Sequence, residues 1–202
     1  MFVQVIRGRV SDSGQVRDAL DLWDEQLAIG AEGWLGSTAG VTEDGRFVAL
    51  ARFDSEQAAR RNSERAEQHQ WWMETAKLFT GEVTFSDSSD VTIDVHGDPD
   101  AAGFVQVMQG RSSDPARARD LSAQDPDEWA AFRPDVLGSV AVVHEGGGYT
   151  VAIYFGSGQA AREGERKEPP PKVKAQMAEM DKLSVGEPEF LDLRQPWLYS
   201  PR

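Results

Sequence analysis

The sequence predicts an α+β protein made of two βαββαβ units in one chain, each a four-stranded antiparallel sheet with both helices on one face. Three observations predict it: an internal repeat, short β-rich runs at the same place in each copy, and helical spacing between them. "FVQVIRGRVSD" begins at Phe2 and "FVQVMQGRSSD" at Phe104, an offset of 102 residues. The same offset aligns Leu35-Gly36-Ser37 with Leu137-Gly138-Ser139, Gly45 with Gly147, and "FDSEQAAR" with "FGSGQAAR". About 24 of 64 ungapped positions are identical, as expected of a duplicated unit. The register then slips by three, so that "GEVTFSD" at Gly81 matches "GEPEFLD" at Gly186.

The elements of the first copy follow in order. "FVQVIRGR" is β-rich and bounded by Ser-Asp, hence a strand. Val16, Leu20, Trp23, Leu27 and Ala28 recur at helical spacing over 14–30. Leu35–Thr42 and Phe47–Phe53 flank "EDG", a hairpin turn. Asp54-Ser55 caps a second helix, with Ala58 and Ala59 in its first turns. Glu82–Phe85 opens the last strand. The boundaries are 1–95 for the first repeat, 96–103 for a linker ("HGDPDAAG" lies here, rich in Gly, Pro and Asp) and 104–202 for a second, degenerate repeat. In the first strand Val3 and Val5 alternate with Phe2 and Ile6, so both sheet faces carry apolar residues. Packing the two sheets face to face, as a pseudo-two-fold pair, removes the second face from water.

Composition narrows the function. The chain has 202 residues, no cysteine and a net charge of −13. Disulfides, thiolate metal sites and a cysteine nucleophile are excluded. The charge repels phosphate backbones and anionic membrane surfaces. No apolar run approaches a bilayer span, and the N-terminus lacks the apolar centre of a secretory signal, so the expected location is cytoplasmic. No histidine pair has helical His-x-x-x-His spacing, so no metal site is expected.

Two βαββαβ units joined sheet to sheet, with Gly36-Ser37 entering strand two and "FDSEQAARRNSERAEQHQWW" opening the second helix, resemble the dimeric α/β barrel superfamily. Within it they resemble the antibiotic-biosynthesis monooxygenase-like (ABM-like) group, whose units are ferredoxin-like. The longer "ARxNSxRxEQxxWW" pattern resembles a set of actinobacterial proteins. The resemblance implies an intramolecular dimeric α/β barrel. It also implies either a cofactor-independent oxygenase or a protein with no reaction. The haem-degrading members use an Asn on strand one and a Trp and His on the second helix. Here strand one has no Asn, Asn62 stands where that Trp would lie, and Trp71 where that His would lie.

The repeats diverge most in the second helix. Asn62, Ser63, Glu64 and Arg65 align with Gly164, Glu165, Arg166 and Lys167, and "EPPP" follows in the second copy. The prolines break a helix, which predicts a shortened second helix there and a single pocket in the first repeat. Trp71, Trp72, Ser63 and Met73 are the candidate ligand-binding residues, the two tryptophans serving either as core or as a cavity wall. Asn62 and Ser63 either satisfy a helix break or donate to a ligand oxygen beside Arg65. His69 is the candidate base, so His69, Asn62 and Arg65 form the candidate catalytic set. The expected function is binding of a small aromatic or apolar ligand without a cofactor. The alternatives are a cofactor-independent monooxygenase acting on a quinol or polyphenol, and a non-catalytic interaction module. The expected state is a monomer with an internal pseudo-dimer. "QPWLYSPR" either covers a groove on this chain or docks to another.

Overall fold

The structure, a computed structural model, describes residues 1–201. The elements in chain order are β1 (Phe2–Arg9), α1 (Ser13–Gln26), β2 (Trp34–Val41), β3 (Arg46–Phe53), α2 (Glu56–Ser63), α3 (Ala66–Thr75), β4 (Thr84–Ser88), β5 (Val91–Val95), β6 (Phe104–Arg111), α4 (Pro115–Ser122), α5 (Pro126–Phe132), β7 (Val136–Val143), β8 (Gly148–Phe155), α6 (Gly158–Glu165), α7 (Pro171–Leu183), β9 (Glu189–Leu193) and β10 (Trp197–Tyr199). Among the described residues these form two compact units, Met1–Val91 with Gln195 onwards, and Thr92–Arg194.

Each unit holds a five-stranded antiparallel sheet, in the order β10-β2-β3-β1-β4 and β5-β7-β8-β6-β9. The ferredoxin-like order β1-α1-β2-β3-α2/α3-β4 recurs as β6-α4/α5-β7-β8-α6/α7-β9. The sequence reading expected four strands per sheet; each sheet gains a fifth at its edge. In the first unit that strand is the C-terminal "WLY", which pairs with β2 as Trp197↔Ala39, Leu198↔Thr38 and Tyr199↔Ser37. The tail therefore covers a sheet edge of its own chain. Trp197 and Tyr199, two residues apart, share the helix side of the sheet. Trp197 packs with Val10, Val16, Ala39 and Phe47, and the Tyr199 hydroxyl donates to Asp21 Oδ1 on α1 at 2.7 Å.

The repeated Leu-Gly-Ser has a structural cause. β2 and β7 each carry a register shift at this point, between Trp34 and Gly36 and between Val136 and Gly138. A Cβ on Gly36 would lie 2.7 Å from the Tyr199 carbonyl oxygen, and one on Gly138 2.7 Å from the Asp94 carbonyl oxygen. Glycine is required in both copies because the fifth strand's backbone approaches there.

The caps explain where the helices start. Asp12 accepts from the backbone of Gly14 and Gln15 to open α1. Ser55 accepts from Ala58 N–H to open α2, and Ser157 from Ala160 N–H to open α6. The first helix stops at Gln26, with a 3₁₀ turn over Ala28–Gly30. The second helix is split in both units, at Glu64–Arg65 and over 166–170. The expectation of a shortened second helix in the second repeat is overturned: α7 has 13 residues against 10 for α3. α6 ends at Glu165, the position aligned with the end of α2 at Ser63, and Pro171 then starts α7, where a missing N–H costs nothing. No helix among the described residues is long and apolar enough to cross a membrane.

Candidate functional site

The first unit stacks its aromatic residues between α1, α3 and the sheet. Trp34 and Trp23 meet edge to face at 5.0 Å. Trp23 and Trp71 follow at 6.3 Å, then Trp71 and Trp72 at 6.1 Å. Trp72 then touches Phe79 at 6.1 Å and Phe85 at 5.3 Å, the latter edge to face. Such pairs each add about 0.5–1.5 kcal/mol beyond their buried area.

The inner rings are anchored. Trp34 donates to Ser37 Oγ at 3.0 Å, Trp23 to Gln68 Oε1 at 2.6 Å, and Trp71 to the Ala19 carbonyl at 2.9 Å. Trp71 packs against the cluster of Phe2, Trp23, Ala31, Trp34, Phe53, Ala58 and Ala59. Trp72 differs. It is half-buried, and among the described residues its indole N–H has no protein acceptor. Its neighbours open to solvent, Phe85 being 46% and Met73 52% exposed. Phe85 lies on β4, the edge strand beside β1.

The polar candidates gather at the break between α2 and α3. Asn62 is buried at the end of α2. Arg65 is the N-cap residue of α3, and its side chain is 18% exposed. Its Nη1 donates to the Leu27 carbonyl at 3.1 Å and to Asn62 Oδ1 at 2.9 Å, while Nε donates to Glu67 Oε1 at 3.0 Å. The backbone N–H of Glu67 itself and then Arg65 hold the Glu67 carboxyl below its ordinary range. The guanidinium thus ties the end of α1 to the start of α3, adding a second donor to the Leu27 carbonyl, which also accepts from the Gly30 N–H at 3.1 Å. Ser63 donates to the Ala59 carbonyl at 3.0 Å, and both it and His69 are exposed. The structure therefore brings Asn62 and Arg65 together, leaves His69 outside that pair, and puts Trp71 and Trp72 in one aromatic layer with Met73 at its rim.

The comparisons with solved structures bear on the fold. A presumed monooxygenase from Lactobacillus acidophilus is 15% identical with a TM-score of 0.71, covering 98% of this chain and 95% of that one. An anthrone oxidase-like protein is 14% identical with a TM-score of 0.66, covering 98% and 93%. A Listeria monocytogenes ferredoxin-fold protein related to antibiotic biosynthesis monooxygenases is 9% identical with a TM-score of 0.50, covering 100% and 95%. This chain has the tandem ferredoxin-like fold that these structures share. No family model and no curated protein sequence matches it.

Within this fold, two features escaped sequence reading. Trp129 Nε1 donates to Gln176 Oε1 at 2.7 Å, the counterpart of Trp23–Gln68, so each unit joins its first helical segment to its second by a Trp–Gln bond. The ungapped offset hides this, because insertions place Trp129 opposite Leu27 rather than Trp23. The second feature is an exchange. A Cβ on Gly30 would lie 2.5 Å from Arg65 Nη2, so glycine on the α1 side admits an arginine from the α3 side. In the other unit Gly164, which replaces Asn62, would meet Asp135 at 2.5 Å and Arg133 Nε at 2.6 Å. There the second helix supplies the glycine, and the segment after α5 supplies the arginine. Spacing alone carries no signal for either.

Proposed function

We propose that the first unit binds a small aromatic molecule at the rim formed by Trp72, Phe85 and Met73. The observation that carries this is Trp72: a half-buried indole, edge to face with a solvent-exposed phenylalanine, whose N–H has no acceptor among the described residues. A flat aromatic ring with an oxygen substituent could stack on the exposed faces and accept that N–H. Trp71 and Phe79 back the platform. One structural neighbour is an anthrone oxidase-like protein; an anthrone is a tricyclic aromatic ketone, a shape that suits such a platform.

Binding is favoured over turnover by the polar groups. Arg65 and Asn62 are committed to each other, to Leu27 and to Glu67. His69 faces solvent. A cofactor-free oxygenase needs a base and an oxyanion partner directed at one ligand, and these three residues do not form that set. The test is a tryptophan fluorescence titration with naphthols and anthrone, run on the parent chain and on Trp71→Phe, Trp72→Phe and Phe85→Ala. Saturable quenching that disappears in Trp72→Phe, persists in Trp71→Phe and weakens about two- to tenfold in Phe85→Ala supports the platform. Quenching that is unchanged in all three variants refutes it. Oxygen uptake above background in the same mixtures would convert the binder into an oxygenase.

A further inference from the structure

The two repeats treat the arginine that ends their first strand in different ways. In the first unit Arg9 closes onto the hairpin turn that follows β2: Nη1 donates to the Asp44 carbonyl at 3.1 Å, and Nη2 lies 3.9 Å from Asp44 Oδ2. Asp44 also accepts from Arg46 Nε at 2.8 Å and from the Thr42 hydroxyl. These hydrogen bonds, Thr42 first and then Arg46, hold its carboxyl below the ordinary range. The turn is a closed cluster in which each charge has a partner.

At the offset of 102 the second unit keeps the arginine as Arg111 and replaces the cluster around it. Asp44 becomes Gly146, Arg46 becomes Gly148 and Thr42 becomes His144. His144 turns to Thr150, with Nε2 3.0 Å from its hydroxyl. Among the described residues the Arg111 guanidinium has no hydrogen-bond or ion-pair partner. Where Asp44 would sit there is an open cleft of about 360 Å³, lined by Arg111, Ser112, Ser113, Pro115, Gly147 and Val185, with Gly146 at its edge.

The cleft has the parts of a receptor. Arg111 supplies a planar cation suited to a two-oxygen anion. Ser112 is 8% exposed; its oxygen accepts from the Asp114 N–H at 3.2 Å, which leaves its own proton to donate. Ser113 is spent on the Leu183 carbonyl at 3.1 Å. The Asp114 carboxylate is held by the Arg117 N–H at 2.9 Å. Glu145, beside Gly146 on the turn, is exposed. Pro115 and Val185 give the cleft apolar walls. Its volume falls at the small end of ligand pockets, which run from about 300 Å³ upward.

The geometry points to a binding site for a small organic carboxylate in the second unit, with Arg111 and Ser112 holding the carboxylate and Pro115 and Val185 contacting its apolar body. Loss of the Asp44 carboxylate in the second copy freed the arginine, and an external carboxylate takes that place. This site is separate from the aromatic rim of the first unit and stands whether or not that rim binds.

The experiment uses the full chain labelled with ¹⁵N, titrated with sodium benzoate, acetate and phosphate at constant ionic strength. The readouts are the amide shifts of Ser112, Ser113 and Gly147. Three variants are compared: Arg111→Gln, Gly146→Asp and Gly146→Asn. A Cβ at Gly146 would lie 3.7 Å from Arg111 Nη2, so an aspartate there rebuilds the carboxylate of the first repeat beside the guanidinium. Asparagine carries the same left-handed backbone strain without the charge, since both residues tolerate φ of +68 to a similar degree. The expected result is saturable benzoate binding, weakened about tenfold or more in Arg111→Gln and Gly146→Asp. Gly146→Asn stays within about twofold of the parent. No saturable shift with any anion, or equal binding by Gly146→Asp and Gly146→Asn, overturns the site. Phosphate binding more tightly than benzoate overturns the assignment of an apolar carboxylate.

Discussion

Replacing Trp197 with alanine tests whether the C-terminal strand is part of the first unit's core. Trp197 is 7% exposed and packs on Val10, Val16, Ala39 and Phe47, its ring 6.4 Å from that of Phe47. Truncating a buried tryptophan costs about 3–5 kcal/mol. For a unit of about 100 residues each kcal/mol moves the midpoint by about 4–8 °C, so the first unit should melt at least about 12 °C lower. Intrinsic fluorescence reads this unit selectively: Trp23, Trp34, Trp71, Trp72 and Trp197 lie in it and Trp129 in the other. Unfolding need not be two-state in a chain of two units, so fluorescence and far-UV circular dichroism are followed together, and the fluorescence transition should carry the shift. Tyr199→Phe separates the hydroxyl from the strand. Its partner Asp21 is half-exposed, so the loss should be about 1 kcal/mol. Burial first and then the Asp21 carboxylate push the Tyr199 phenol up from 10.0. The native state therefore keeps a proton that the unfolded chain releases. Stability from this group is full below pH 10.0 and falls as pH rises above it, a slope that Tyr199→Phe should flatten. A loss below about 1 kcal/mol for Trp197→Ala would refute the reasoning, because it would mean the strand pairs with β2 without carrying core.

Substitutions in both units test the arginine exchange. Asp135 is held by Arg133 Nη2 at 2.8 Å, and the two side chains are 9% and 17% exposed. Burial, the largest single effect, opposes the Asp135 charge, but the Arg133 hydrogen bonds, the Asp135 backbone N–H and the charges of Arg133 and Lys167 together outweigh it and hold the carboxyl below 3.8. The stabilisation is thus full above that value and lost as pH falls below it. Asp135→Asn should cost about 3 kcal/mol at neutral pH and remove that part of the acid slope, read as urea midpoints against pH; identical acid profiles for parent and variant would exclude the pair as a source of stability. In the first unit, Gly30→Ala should cost about 1–3 kcal/mol by driving a methyl into the Arg65 guanidinium. Arg65→Ala should cost about 1.5–3 kcal/mol through the hydrogen bonds to Leu27 and Asn62. The double variant should lose less than the sum by about 1 kcal/mol or more, and additivity within about 0.5 kcal/mol would show that the two do not share a site.

The alternation of the strands, the serine caps and the duplicated order of elements were legible because each rests on local chemistry repeated at a fixed offset. Ser55 reads as a cap and is one. The Trp72 rim was legible in part. The paired tryptophans stand out in the sequence, but which one is anchored depends on Ala19, 52 residues away. Arg65 carried two readings, and the structure gives its hydrogen bonds to Leu27, Asn62 and Glu67. A distance of 38 residues to Leu27 leaves no periodic trace.

The fifth strands show where a signal was present and its meaning was not. Leu-Gly-Ser occurs in both copies and served to align them. The same glycine also marks a contact: no side chain fits at residue 36 or 138, because a carbonyl from Tyr199 or Asp94 occupies the space. The two carbonyls come from segments with no sequence in common, one at the C-terminus and one just before the second repeat begins. Duplication therefore preserved the receiving edge and not the strand that fills it. The arginine exchange follows the same logic, since Gly30 and Gly164 keep a space for a guanidinium that arrives from opposite sides. Arg111 extends it once more. There the arginine is kept, the carboxylate that would fill the space is gone, and a cleft remains. In a duplicated chain, a glycine aligned with a charged or bulky residue marks a place where the partner has changed. Those positions, more than the shared identities, are where the two copies can have acquired different ligands.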